Sequence, residues 1–124
     1  PSRRRILVAE DNPSNYTLVE VLLRRDYDLV HAVNGAEAVE LFKAQGADLV
    51  LMDINMPVMD GYEALRLIRE LSVDVPVIAL TAYAFETDRR RMFEAGFNEC
   101  LAKPLRVDEL RNRVAQMLEG NRNL

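Results

Sequence analysis

In this 124-residue chain, polar residues stand directly behind short apolar runs at four places. Ile6-Leu7-Val8-Ala9 runs into Glu10-Asp11, and Leu49-Val50-Leu51-Met52 runs into Asp53. Val77-Ile78-Ala79-Leu80 runs into Thr81, and a shorter run, about Glu99 to Ala102, runs into Lys103-Pro104. No core or helical requirement asks for these residue types there. If the runs are strands of one parallel sheet, their carboxyl ends share the edge where such sheets carry their functional crevice. Three carboxylates, a hydroxyl and an ammonium would then converge.

Clustered carboxylates repel one another: a pair ~4 Å apart costs on the order of 1 kcal/mol in water and about 4 kcal/mol at an effective dielectric of 20. A hard cation relieves that repulsion, and an all-oxygen donor set selects Mg²⁺ or Mn²⁺ over zinc. Mg²⁺ uses one or two carboxylates, keeps some waters and takes further ligands from a phosphate. One carboxylate is then free to attack phosphorus and form an acyl phosphate. The metal and the ammonium would share the charge on the transferring group, and the hydroxyl would add a hydrogen bond.

The elements that must position these groups follow from periodicity. Continuous apolar runs mark strands buried on both faces. Asn12 can cap a first helix with Pro13 at its first position, running to about Arg25 with Leu18, Val21 and Leu22 on one face. A second strand fits Leu29 to Val33, closed by Asn34-Gly35. A second helix fits Ala36 to Gln45, with Val39 and Phe42 inward and Gly46 at its end. A third helix carries Leu65, Ile68 and Leu71, with Asp60 as its cap. A fourth, about Glu86 to Ala95, is weakly amphipathic and ends at Gly96. The last has a stripe of Val107, Leu110, Val114 and Met117. Five strand-helix units with right-handed crossovers imply an α/β fold: a single five-stranded parallel sheet, doubly wound, in the flavodoxin-like (βα)5 three-layer arrangement. One domain over 1–124 is expected, with 1–4 and 120–124 as flexible ends.

Four segments then resemble the signatures of response-regulator receiver domains, in order and at family spacing: ILVAEDN (6–12), LMDINMPVMDG (51–61), VIALTA (77–82) and LAKPL (101–105). The resemblance covers nearly the whole chain. It implies that Glu10 and Asp11 position Mg²⁺, that Asp53 is the phosphoacceptor and a metal ligand, and that the Asn55 backbone carbonyl is a further ligand. It implies Thr81 as the switch hydroxyl, Lys103 as the phosphate-binding lysine and a cis bond before Pro104. The implied function is a phosphorelay switch. Asp53 takes a phosphoryl group from a histidine kinase or histidine phosphotransfer domain and later loses it to water. The output surface would be helix four, strand five and helix five, facing a downstream protein or attached domain. Such chemistry is self-directed, without independent substrate turnover. The sequence departs from the family at Cys100, where an aromatic ring usually takes part in the switch. Tyr83, two residues after Thr81, is placed to cover the site mouth. In the family, its position and that of Asn55 affect water's access to the acyl phosphate.

Blander roles are available to several residues: a strand-end hydroxyl bonded to nearby backbone for Thr81, a strand or rim position for His31, a small apolar filler for Cys100 and a solvated helix face for Arg89-Arg90-Arg91. The alternative function is a degenerate receiver acting as a constitutive interaction module, against which all five key residues argue. A haloacid-dehalogenase-like phosphatase would need an aspartate where Asn55 stands. A flavodoxin-like protein would need a Ser/Thr/Gly-rich loop where Glu10-Asp11-Asn12-Pro13 stands.

Composition agrees. Apolar residues make up 49% and charged residues 29%, with a formal net charge of −4, so a globular chain without direct nucleic-acid contact is expected. The single cysteine allows no internal disulfide and fits a cytoplasmic location. No apolar stretch approaches ~18 residues, so no membrane span is expected.

Overall fold

The computed structural model describes residues 3–83 and 85–120. Residues 1–2 and 121–124, which hold most of the expected flexible ends, lie outside the described residues, as does Ala84. Arg3 is described, and its guanidinium donates to the carbonyl of Tyr27 at 2.9 Å and to that of Arg24.

The strands are β1 (Arg5–Ala9), β2 (Asp28–Ala32), β3 (Leu49–Asp53), β4 (Val77–Thr81) and β5 (Glu99–Ala102). They pair in parallel in the order β2-β1-β3-β4-β5. The chain moves outward from β1 to β2, then crosses back to β3 on the other side of β1. The sheet therefore reverses direction between β1 and β3, the place where doubly wound sheets open a crevice at the strand carboxyl ends.

Side chains alternate across each strand, so each strand feeds two cores. Leu7, Ala9, Val50, Met52, Val77 and Ala79 pack on one face with α2 (Gly35–Gln45), α3 (Gly61–Leu71) and α4 (Glu86–Ala95). Ile6, Val8, Leu49, Leu51, Ile78, Leu80 and Leu101 pack on the other with α1 (Pro13–Leu23) and α5 (Val107–Gly120). Each fully buried Leu or Ile contributes about 1.5–3 kcal/mol. This is the expected three-layer α/β architecture. Among the described residues no helix is long and apolar enough to cross a membrane.

Three helix faces differ from expectation. In α1 the buried residues are Val19 and Leu23, with Tyr16 and Leu22 packed beside them, while Leu18 and Val21 face outward at 37% and 57% exposure. The helix is apolar nearly all round, so two stripes compete, and packing against β2 and α5 selects Tyr16-Val19-Leu23. In α3, Ala64, Leu65 and Ile68 are buried and Leu71 is exposed at the last turn. In α5 the buried stripe is Leu110, Val114 and Leu118, one step along from the stripe that would have begun at the exposed Val107. Met117 is only partly covered.

The caps match their chemistry. Asn12, Asn34 and Asp60 side chains accept backbone N–H groups of Asn15, Glu37 and Glu63 at the starts of α1, α2 and α3. Gly96 closes α4 at φ 116°, a left-handed conformation that glycine adopts without a Cβ clash. α4 starts at Phe85 with no side-chain cap, and Met92 is its only buried residue.

Candidate active site at the carboxyl edge of the sheet

Glu10 and Asp11 follow β1, and Asp53 ends β3, its immediate neighbour. One carboxylate oxygen from each lies within 4.8 Å of the others. Lys103, just past β5, reaches across the ends of the strands. Its Nζ lies 2.8 Å from Asp53 Oδ2 and 3.0 Å from Glu10 Oε1. These groups, with Asn12, Asn15, Asn55 and Ala82, line an open depression of about 240 Å³. A larger groove of about 620 Å³ lies elsewhere, lined by four arginines with Val21 and Leu22. It offers no carboxylate or nucleophile, so size does not mark the site.

The backbone fixes these side chains. Glu10 N–H donates to Ala32 O at 3.0 Å, carrying the β1–β2 ladder one residue past the strand. Glu10 Oε2 accepts from Asn12 N–H at 3.1 Å, and Asp53 Oδ1 accepts from Asn55 N–H at 3.1 Å. The loop after Asp53 folds tightly back: Gly61 N–H donates to Ile54 O at 2.9 Å, and Gly35 N–H to Met59 O at 3.1 Å. A Cβ on Gly61 would lie 2.5 Å from Asp53 O and 2.9 Å from Ile54 Cα, so only glycine lets α3 begin this close to the site.

Electrostatics are dominated by burial. Glu10 is wholly buried, and burial pushes its carboxyl above the ordinary 4.5 against the opposing Lys103 ammonium and Asn12 N–H, with Asp53 adding to the rise. Burial alone would lower Lys103, but the hydrogen bond it donates to Asp53 and the adjacent Glu10 carboxylate overcome it and hold the ammonium above its ordinary 10.5. Glu10 Oε1 is in ion-pair contact with Lys103 yet takes no aligned hydrogen bond, leaving a buried oxygen with free acceptor capacity. An orphaned oxygen beside two more carboxylates suits a hard divalent cation.

Thr81 and its neighbours sit differently. The buried Thr81 hydroxyl donates to Tyr83 O at 3.2 Å and accepts from Tyr83 N–H at 3.0 Å, so in this conformation it serves the β4–α4 loop and not the carboxylates. Tyr83 is 61% exposed. Cys100 is buried at 3% exposure, and burial pushes its thiol up. Its neighbourhood holds the Tyr62 ring, packed edge-on to Phe97 with a 5.8 Å centroid separation and covered by Arg91 at 4.6 Å. Arg91 is therefore not simply solvated. The Lys103-Pro104 bond is cis. His31, read from sequence as a strand or rim residue, brings Nε2 to 2.8 Å from the Glu10 carbonyl oxygen. The pairing of Val8 with His31 that makes this reach possible has no local sequence signal.

A doubly wound sheet with an acidic crevice and one bridging lysine at its carboxyl edge places the candidate site where α/β proteins of this class bind their ligands. Residues 6–115 match the family model described as the response regulator receiver domain, and the chain belongs to that family. It is 37% identical over 118 residues to the sensor protein EvgS of Escherichia coli K12, covering 94% of this chain and 10% of that protein. This chain thus spans about a tenth of the length of the curated relatives it matches. Among solved structures it resembles the receiver domain of a Pseudomonas aeruginosa sensor histidine kinase, with TM-score 0.85, 42% identity and coverage of 96% and 99% of the two chains. That structure has a magnesium ion coordinated in its active site cleft. It also resembles the Saccharomyces cerevisiae receiver domain of Ssk1, crystallised with the histidine phosphotransfer protein Ypd1 (TM-score 0.86, 30% identity, 93% and 88% covered). The chain is thus a receiver domain of phosphorelay signalling, homologous to those of hybrid histidine kinases.

Proposed function

We propose that the chain is a single receiver domain whose Asp53 carboxylate accepts a phosphoryl group from a phosphohistidine. The donor is a histidine kinase or a histidine phosphotransfer domain in the cytoplasm, where the single thiol stays reduced. A carboxylate oxygen of Asp53 forms the new O–P bond as the N–P bond breaks. The electron pair of that bond stays on the departing imidazole. Water later attacks the acyl phosphate and restores the carboxylate, releasing inorganic phosphate.

Each residue has a role in this reading. Glu10, Asp11, Asp53 and the Asn55 carbonyl hold Mg²⁺. When bound, the ion neutralises carboxylate repulsion and the charge of the transferring group. Lys103 neutralises Asp53 before transfer and follows the phosphoryl oxygens afterwards. Thr81 must leave its Tyr83 bonds to reach the phosphoryl group, which couples modification to the β4–α4 loop. The signal is a population shift: the phosphoryl group must bind two conformers unequally to bias them. Output through α4, β5 and α5 is supported by Glu99 of β5, which faces Arg113 of α5 at 3.3 Å and Arg89 of α4 at 3.9 Å. Phe85 before α4, Phe93 within it and Val107 at the start of α5 are exposed apolar residues of these same elements.

The convergence of three carboxylates, two of them bridged by Lys103, carries this reading. It is tested by intact mass after incubation with Mg²⁺ and acetyl phosphate. One added phosphoryl group is expected, absent from Asp53→Asn and absent without metal. A folded, Mg²⁺-binding protein that never gains the adduct would replace this reading with that of a constitutive interaction module.

A further inference from the structure

The β1–β2 ladder runs out just where the site begins. Glu10 N–H finds Ala32 O, and the next rung would need a backbone donor from residue 34 for Glu10 O. The chain has turned away by then: Val33 N–H donates to Glu37 Oε1 at 3.0 Å, and Asn34 caps α2. The Glu10 carbonyl instead meets His31 Nε2 at 2.8 Å. A carbonyl oxygen only accepts, so Nε2 carries the proton and donates. The imidazole is itself held, stacked on Tyr16 of α1 with centroids 3.6 Å apart and planes 5° from parallel. Tyr16 lies one turn from the Asn12 cap, so the same small unit joins β2, α1 and the segment bearing both acidic residues.

We infer that His31 is a positioning residue for the metal site: its Nε2–H donor substitutes for the missing ladder rung and fixes the Glu10–Asp11 peptide from which both carboxylates hang. The inference rests on the proposed Mg²⁺ site and adds to it a residue outside the four sequence signatures. Three hydrogen bonds then hold Glu10, at N–H by Ala32, at C=O by His31 and at Oε2 by Asn12, beside the ion pair of Oε1 with Lys103. Losing the bond to His31 frees the peptide to rotate and disperses the carboxylates that must meet one ion. Partners one shell out from a ligand commonly carry 10–100-fold of a metal's affinity, and here the effect is set at about tenfold because the bond is to backbone.

The test is calorimetric Mg²⁺ titration of the chain, with metal-free melting measured alongside. His31→Phe keeps a ring against Tyr16 without the donor, His31→Leu removes both, and His31→Gln returns an amide donor of similar reach. Both donor-less variants should bind Mg²⁺ about tenfold more weakly, and His31→Gln should recover most of the affinity. At saturating Mg²⁺, labelling of Asp53 by acetyl phosphate should match the parent in all three. If His31→Phe fails to fold, His31→Leu and His31→Gln still give the comparison. Melting temperatures that fall while Mg²⁺ affinity stays at the parent value would overturn the inference and leave His31 as packing alone. A parent chain that binds no Mg²⁺ would overturn the metal-site reading and this inference with it. A parent that binds and donor-less variants that bind equally well overturn this inference only.

Discussion

The Lys103 ammonium, carried past the end of β5, lies 2.8 Å from Asp53 Oδ2 at the end of β3, spanning the width of β4 between them. The same nitrogen touches Glu10 beyond β1, so one cation compensates groups from two adjacent strands. Lys103→Met should therefore lower metal-free stability by about 1–3 kcal/mol, the penalty for leaving buried charged groups unpaired. It should also make the Mg²⁺-induced rise in Tm larger than in the parent, because more repulsion is left for the ion to relieve, while labelling by acetyl phosphate slows. Denaturant melts with and without Mg²⁺ check both; equal Mg²⁺ responses would count against a shared charge balance.

The pH dependence has a definite sign. A carboxyl raised in the folded state favours folding below the ordinary carboxylate pKa, and that contribution is lost as pH rises through the raised value. Glu10 therefore opposes folding at neutral pH when no metal is present. Glu10→Gln imitates the protonated form, so it should be more stable than the parent at pH 7, with the gap narrowing as pH falls through the raised value and gone below about 4. Lys103 is raised in the favourable direction. Its contribution persists through neutral pH and is lost only as pH climbs past its folded value, above 10.5. Urea melts across pH 3–8 in chelator would show a constant gap if Glu10 did not titrate this way.

Gly61 tests how closely α3 approaches the phosphoacceptor. A methyl group there would press on Asp53 O and Ile54 Cα, which are backbone and cannot swing aside. Gly61→Ala should cost about 1–3 kcal/mol despite the better helix propensity of alanine. It should weaken Mg²⁺ binding as the loop is displaced. A stabilised variant with unchanged Mg²⁺ affinity would show that the loop yields freely.

Val58 sits at φ 69° and is 84% exposed, and the flanking Met59 N–H donates to Pro57 O at 2.7 Å. This three-residue turn is the strained hand of the γ-turn, unfavourable for a β-branched side chain. Relief of about 1–2 kcal/mol exceeds the entropic cost of glycine, so Val58→Gly should raise stability by about 0.5–1 kcal/mol. A drop in Tm would mean the valine makes stabilising contacts that its exposure hides.

The places of the charged groups were legible because each breaks an apolar run at the point where the chain leaves the core. That signal is local, and a parallel sheet turns it into proximity. The buried face of α1 was not legible: with Tyr16, Leu18, Val19, Val21, Leu22 and Leu23 all apolar, only the neighbours β2 and α5 decide which stripe turns inward. The α5 stripe was displaced for a related reason, since Val107 opens the helix at its exposed first turn. The reach of His31 to Glu10 depends on strand register and on the ladder ending where it does. The resting bonds of the Thr81 hydroxyl depend on the path of the following loop, which no residue pattern announces.

α4 has one fully buried side chain and an uncapped start at Phe85, and it is tied to α3 by Arg91 laid over Tyr62 and by Arg69 donating to the carbonyl of its cap Gly96 at 3.0 Å. The other helices are pinned by at least two buried side chains each. Opening α4 thus exposes little apolar surface, and its amide protons should trade with deuterium before those of any other helix, while β1, β3 and β4 retain theirs until global unfolding. The segment that lets solvent in most readily is the one directly after the loop that Thr81 holds. A small free-energy change at the strand ends therefore has a short route to a helix that takes little energy to move.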